Sequence, residues 1–145
     1  MRTRPDEAAP AIRATAVLVG WLVDTLSTTI AGIPLLAAFG VDATDQTALD
    51  RLNDAPDFLL ASLALGLVCT ALGGFVTAHL ARGAEMRNAL VMGVASAASA
   101  LLLALTGVGG PPVWYLGVGT ALTVPAAALG AVIRERTRAE TGNIA

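Results

Sequence analysis

Long uncharged stretches, broken by short charged segments, dominate the pattern of this chain. Four of them approach or exceed the roughly 20 apolar residues that cross a bilayer, and they cover residues 14–39, 58–81, 88–106 and 113–133. The last two are separated by residues 107–112, which have the Gly/Pro-rich composition of a turn. The sequence therefore predicts an all-α fold, a four-helix transmembrane bundle that forms a single integral membrane domain over residues 1–145.

Basic residues are distributed unequally between the two ends of these stretches. Arg51 is the only one in the acidic connection 41–57, whereas the other eight of the nine basic residues flank the opposite ends. Such a bias places the arginine-rich segments in the cytoplasm. We therefore expect both termini to be cytoplasmic and the acidic segment 41–57 to be outside. Arginine without lysine, together with much alanine, glycine and leucine, is typical of a GC-rich bacterial genome, so the expected location is the bacterial inner membrane.

The first stretch also has to be compared with a secretory signal peptide. Its apolar run is nearly twice the length that such a peptide uses and is interrupted by Asp24. A membrane span is therefore the preferred interpretation of residues 14–39. Outside the spans, residues 44–53 predict one short helix with Thr44 as its N-cap. The acidic residues around that helix lack the spacing of metal ligands and are interpreted as a solvated face.

Asp24 is the only charged residue within the first stretch. It lies eleven residues beyond Arg13, which corresponds to about 16 Å of helix and so to the middle of a 30 Å hydrocarbon core. The same count in the other spans reaches hydroxyl residues at similar depth. The predicted polar layer comprises Asp24, Thr70, Ser99 and Thr123, with Thr25, Thr28 and Ser96 near its edges.

This layer has a structural and a functional interpretation. Hydroxyls in membrane helices often bond their own backbone or join helices, which requires no ligand. A carboxylate at bilayer depth costs about 2.5–3.5 kcal/mol on insertion scales, and such residues usually face a helix interface or a hydrated path. Burial without a cationic partner favours the protonated form of Asp24. Pro125, which borders the layer, could leave the carbonyl of Ala121 free to bind an ion.

Small residues recur every fourth position in the first two spans. The two series are Ala16, Gly20, Asp24, Thr28, Gly32 and Ser62, Gly66, Thr70, Gly74, Ala78. Such ridges let helix backbones approach closely. We therefore expect the first two spans to pack along them, with Gly20, Gly66 and Gly74 as the packing positions.

Signatures of enzymes and of nucleic-acid binding are absent from the sequence. There is no metal-ligand cluster, no nucleophile beside a base and no phosphate-binding loop. His79 lies only three residues from Arg82. Counted along the helices, His79 is therefore about 11 Å shallower in the bilayer than Asp24, and a proton relay between His79 and Asp24 is not expected. The chain is interpreted as a non-enzyme without a cofactor or bound metal.

Two resemblances fit this interpretation. Residues 73–82, GGFVTAHLAR, with Asn88, Gly93 and the Asp24 segment GWLVD, resemble small uncharacterised bacterial four-helix inner-membrane proteins. That resemblance implies the topology and no activity. In outline the chain also resembles small multidrug-resistance exporters, which have one acid in the first helix; theirs is Glu, and their cavity is aromatic.

Two functions are therefore considered. The first is a structural or accessory protein, a homo-oligomer or a partner of another membrane protein, whose polar layer around Asp24 fixes helix packing in the lipid bilayer. The alternative is a small proton-coupled transporter or channel in which Asp24 is the titrating group.

Overall fold

The computed structural model describes residues 11–106 and 110–142, and this part of the chain is helical apart from short connections. Its helices are α1 (Ala14–Ala38), α2 (Gln46–Leu52), α3 (Pro56–Leu80), α4 (Glu85–Thr106) and α5 (Val113–Gly142). All but α2 are long and apolar enough to cross a membrane. The predicted all-α, four-helix transmembrane fold is thereby confirmed, and the chain is a multi-pass membrane protein.

The ends of the spans differ from the predicted limits for local reasons. Helix α3 begins at Pro56 rather than at residue 58, because proline is well suited to the first turn of a helix, where its missing N–H is not needed. Helix α5 continues beyond residue 133 into a charged segment, where arginine and glutamate are good helix formers. Residues 107–109 of the predicted turn lie outside the described residues.

The short helix α2 is present, but the prediction of its N-cap was wrong. The cap is Asp45, whose carboxylate accepts a bond of 3.0 Å from the N–H of Ala48. Thr44 instead directs its N–H and its hydroxyl to Asp42 Oδ1, each over 2.8 Å. Because Thr44 bonds Asp42 in this turn, α2 begins one residue later than predicted, after Asp45.

One end of the bundle gathers the start of α1, the end of α3, the start of α4 and the charged part of α5. The N–H of Arg13 donates to Asn88 Oδ1 over 2.7 Å, and the Arg13 guanidinium donates to the carbonyl of Leu80. Arg134 Nε donates to His79 Nδ1 over 3.0 Å. We call this the arginine end of the bundle.

The other end, beside α2, joins the remaining helix termini. Phe39 and Phe58 pack edge to face with ring centroids 5.3 Å apart. The hydroxyls of Ser62 and Tyr115 lie 3.1 Å apart. The four long helices therefore alternate in direction; α3 and α4 pack between α1 and α5, which share no extensive contact among the described residues.

Small side chains form much of the interior, and many of the large apolar ones face outward. The buried apolar residues near the arginine end are mostly alanines, including Ala78, Ala89, Ala127 and Ala131. Val68, Leu105 and Val113 are instead 67%, 79% and 86% exposed. Lipid tails are as apolar as leucine, so burying these side chains between helices would gain little free energy. The bundle is instead stabilised by the close packing of helix backbones.

The closest backbone contacts of the described glycines lie in the half of the bundle near the arginine end. A Cβ added to Gly74 would meet the backbone of Ala127, and one added to Gly130 would meet that of Ala71. Towards the α2 end, by contrast, a Cβ at Gly32 or Gly66 would have no neighbour within 4 Å. The helices therefore diverge towards the α2 end.

The predicted ridge contact between α1 and α3 occurs only in part. Gly20 lies against Gly73 and Thr77 of α3, but Gly74 faces Ala127 of α5. Adjacent residues point about 100° apart around a helix, so Gly73 and Gly74 serve two different interfaces. Gly66 is not a packing position, because the helices have already separated at its level.

Candidate functional site

The carboxylate of Asp24 joins three helices. The hydroxyl of Thr70, on α3, donates to Oδ1 over 3.0 Å, and that of Ser96, on α4, donates to Oδ2 over 2.6 Å. Asp24 is 6% exposed, and both partners are buried. Because hydrogen bonds to a carboxylate are stronger than those between neutral groups, the two hydroxyls hold the acid in one orientation.

The glycine contact below Asp24 brings these side chains together. Gly20 is one helical turn from Asp24, on the same face of α1. Because Gly20 packs on Gly73, the backbones of α1 and α3 approach so closely that a Cβ on Gly73 would lie 2.9 Å from Asp24 Cβ. Thr70, a turn before Gly73, then lies beside the carboxylate.

Ser96 has two acceptors for its single hydroxyl hydrogen. Its Oγ lies 2.6 Å from Asp24 Oδ2 and 3.4 Å from Met92 Sδ. An ionised Asp24 receives the hydrogen. A protonated Asp24 can instead donate to Ser96 Oγ, and Ser96 then turns its hydrogen towards the sulfur, a weak acceptor. The site thus has a hydrogen-bonding arrangement for either protonation state of Asp24.

The remaining members of the predicted polar layer lie around the carboxylate but do not bond to it in the described contacts. Ser99 accepts a bond of 3.2 Å from Trp21 Nε1 and donates to its own helix at Ala95. Thr123 donates to the carbonyl of Gly119. Thr28 is exposed on α1.

A cavity of about 530 Å³ begins at Asp24 and occupies the diverging half of the bundle. All four long helices line it, and Thr28, Thr70, Ser99 and Thr123 all contribute, as do Ser62 and Tyr115 near the α2 end. Gly66 also lines this space. The predicted site residues are therefore brought together by a cavity rather than by a continuous layer of hydrogen bonds.

The charge of this cavity is simple. Among its described lining residues, Asp24 alone carries a formal charge; the others are hydroxyl, aromatic, small or aliphatic. No group of three His, Cys, Asp or Glu side chains that could hold a metal ion occurs in the described part of the chain.

Two features singled out in the sequence lie elsewhere. Pro125 and Ala121 are both exposed, and neither lines the cavity. His79 bonds Arg134 at the arginine end, beside a second cavity of about 450 Å³ whose other lining residues include Arg82, Glu85 and Arg138. Neither Pro125 nor His79 contributes to the Asp24 site.

Ser96 was placed at the edge of the layer by sequence reasoning, yet it is one of the two partners of Asp24. The signal that identifies it is a four-residue periodicity on α4. Asn88, Met92 and Ser96 follow one another at this spacing, and all three are buried. A buried stripe containing two polar residues marks the face of a membrane helix that turns towards its neighbours.

Comparison with models of protein families, with curated proteins and with solved structures finds no match for this chain.

Proposed function

We propose that this chain is a small proton-coupled transporter or channel in which Asp24 is the titrating group. The observation that supports the proposal is the cavity of about 530 Å³ that ends at the Asp24 carboxylate. A polar layer that only fixed helix packing would require no such space. An intramembrane acid beside a cavity is instead the arrangement used for proton and solute pathways.

Asymmetric packing also favours this function. The half of the bundle near the arginine end is closed by glycine and alanine contacts, whereas the half beside α2 is open. A binding site closed on one side and open on the other is what alternating access requires of one conformation. The arginine distribution supports an orientation in which the closed side faces the cytoplasm of a bacterial cell.

A second, structural candidate is favoured by the bonds from Thr70 and Ser96 to Asp24. Under it, the chain is a structural or accessory protein that forms a homo-oligomer or joins another membrane protein, and Asp24 fixes the packing of α1, α3 and α4. Both candidates are non-enzymatic and act within the lipid bilayer.

Modification by a hydrophobic carbodiimide tests the proposal, because this reagent attacks protonated carboxyl groups that it can reach within a membrane. Purified protein in lipid nanodiscs is treated at a series of pH values, and the adduct on Asp24 is quantified by peptide mass spectrometry. We expect labelling at low pH that declines as pH rises. Asp24→Asn provides the control for site specificity.

Reaction of Asp24 with the carbodiimide only after denaturation would contradict the proposal. In that case the folded protein would show no adduct on Asp24 at any pH, while the unfolded protein would be labelled. Asp24 would then be closed off from both protons and reagent, and the structural candidate would replace the transporter.

A further inference from the structure

The composition of the cavity wall restricts the ligand that it can hold. Asp24 lies at the closed end, and no described lining residue carries a positive charge. An anion would meet the carboxylate without a compensating cation, which is unfavourable at low dielectric. A cation would be attracted by the carboxylate.

Cavity size separates an organic cation from a bare metal ion. The volume of about 530 Å³ lies within the range of about 300–1,000 Å³ that is typical of sites for small organic ligands. Much of the wall is aliphatic, including Leu63, Leu67, Leu103 and Leu116. These side chains offer contact to an apolar body and no ligands to a metal.

Two aromatic side chains in the wall are held in place by hydrogen bonds. Trp21, which lies one turn from Asp24 on α1, donates from Nε1 to Ser99. The Tyr115 hydroxyl pairs with that of Ser62 near the α2 end. Aromatic rings attract cations through their quadrupole as well as packing on apolar groups. Their bonds fix both rings before a ligand enters.

We infer that the cavity binds an organic monocation, a protonated amine with an apolar body, whose ammonium group lies against Asp24. This inference rests on the proposed function and names its substrate class. Hydroxyls of the wall accept the ammonium hydrogens that the carboxylate leaves free, and the apolar body extends towards the α2 end along the leucines.

Binding of such a ligand is an exchange of one positive charge for another. Where the carboxyl group of the empty site carries a proton, the ammonium ion replaces that proton, which leaves to water. No covalent bond other than the O–H bond of Asp24 breaks. One proton is therefore released for each cation bound at a pH where Asp24 is protonated in the empty site.

Benzylammonium is a suitable probe, with benzyl alcohol as its neutral analogue and benzoate as its anionic one. Isothermal titration of the purified protein in two buffers of different ionisation enthalpy gives both the affinity and the number of protons released. At a pH where Asp24 is protonated in the empty site, we expect benzylammonium to bind with release of about one proton. Asp24→Asn removes the charge that holds the ammonium group and should weaken binding by about tenfold or more, which corresponds to about 1.4 kcal/mol or more.

A matched pair of glycine variants tests the location. Neither Gly66 nor Gly32 has a neighbour within 4 Å of an added Cβ, but only Gly66 lines the cavity. Gly66→Leu therefore fills the proposed binding space, whereas Gly32→Leu adds the same group elsewhere. We expect the first variant to lose benzylammonium binding and the second to retain it, with both remaining folded by circular dichroism.

Several results would overturn the inference. These are equal binding of benzylammonium to the original protein and to Asp24→Asn, equally tight binding of benzyl alcohol or benzoate, or unchanged binding in Gly66→Leu. No binding of benzylammonium, with Asp24 still labelled by carbodiimide, would refute the ligand class and leave the proton-coupled function standing. No benzylammonium binding together with no carbodiimide labelling of Asp24 would refute both the ligand class and the proton-coupled function.

Discussion

Gly20 and Gly73 lie so close that the carbonyl oxygen of each is 2.7 Å from where a Cβ on the other would be. The contact is reciprocal, which means that neither helix can carry a side chain at this point. It lies one turn below Asp24, so it also sets the distance between that carboxylate and α3.

We predict that Gly73→Ala destabilises the bundle by about 1–3 kcal/mol, the range typical of overpacking. The added methyl group would meet Gly20 O, Met92 Cε at 2.8 Å and Asp24 Cβ at 2.9 Å. Since one of these is backbone, the helices must separate. Thermal or denaturant unfolding in detergent measures the effect, with Gly32→Ala as the control in open space. Equal stability of both variants would show that α1 and α3 do not approach as described.

A second prediction compares two serines on α4. Ser96→Ala removes a bond to the Asp24 carboxylate and should cost about 1–2 kcal/mol, at the upper end of interhelical polar bonds in membranes. Ser99→Ala removes the acceptor of Trp21 Nε1 and a bond within α4 to Ala95, and should cost about 0.5 kcal/mol, close to the average for interhelical polar contacts. Unfolding in detergent would decide. A larger loss in Ser99→Ala would contradict the assignment of Ser96 as the partner of Asp24.

The third prediction concerns pH and the turn before α2, outside the membrane. The backbone N–H and then the hydroxyl of Thr44 hold the pKa of Asp42 below its ordinary value of 3.8. These bonds therefore stabilise the turn above about pH 3.8 and are lost as pH falls through the lower pKa of the folded state. Thr44→Ala keeps the N–H and loses the hydroxyl, so the pKa of Asp42 should rise part of the way to 3.8.

Carbon NMR of the Asp42 carboxyl group during an acid titration measures this change. Thr47→Ala, within α2, is the control and should leave the pKa of Asp42 where it is. An unchanged pKa in Thr44→Ala would mean that the hydroxyl does not contribute.

The fourth prediction is the orientation of the chain. Cys69 is the only cysteine and is buried, so a cysteine introduced at Asp50 or Arg138 supplies the reactive thiol. A membrane-impermeant maleimide should label Asp50→Cys in intact cells and Arg138→Cys only after permeabilisation. Equal labelling of both positions in intact cells would indicate two orientations.

The fold followed from the sequence because length and charge decide membrane spans. Uncharged runs gave all four long helices, and a hydrocarbon core leaves the backbone few alternatives to a helix. The N-cap of α2 was missed because Thr44 and Asp45 are both good caps. Only the competing turn with Asp42 selects between them.

Part of the site was accessible in the same way. Counting depth along the helices placed Asp24 and Thr70 at one level, and they are bonded. The count assumes untilted helices and contains no information on rotation, so it favoured Ser99 over Ser96. The cavity could not be predicted, since it depends on where helices diverge.

The contrast between the two halves of the bundle has a consequence for how such a protein can change over time. At Gly20, Gly73, Gly74 and Gly130, even one methyl group requires the backbone to move. Around Gly66 there is room for new side chains. Replacements in the open half can alter what the cavity accepts while the closed half keeps the helices in register, so recognition can diversify on a scaffold that hardly varies.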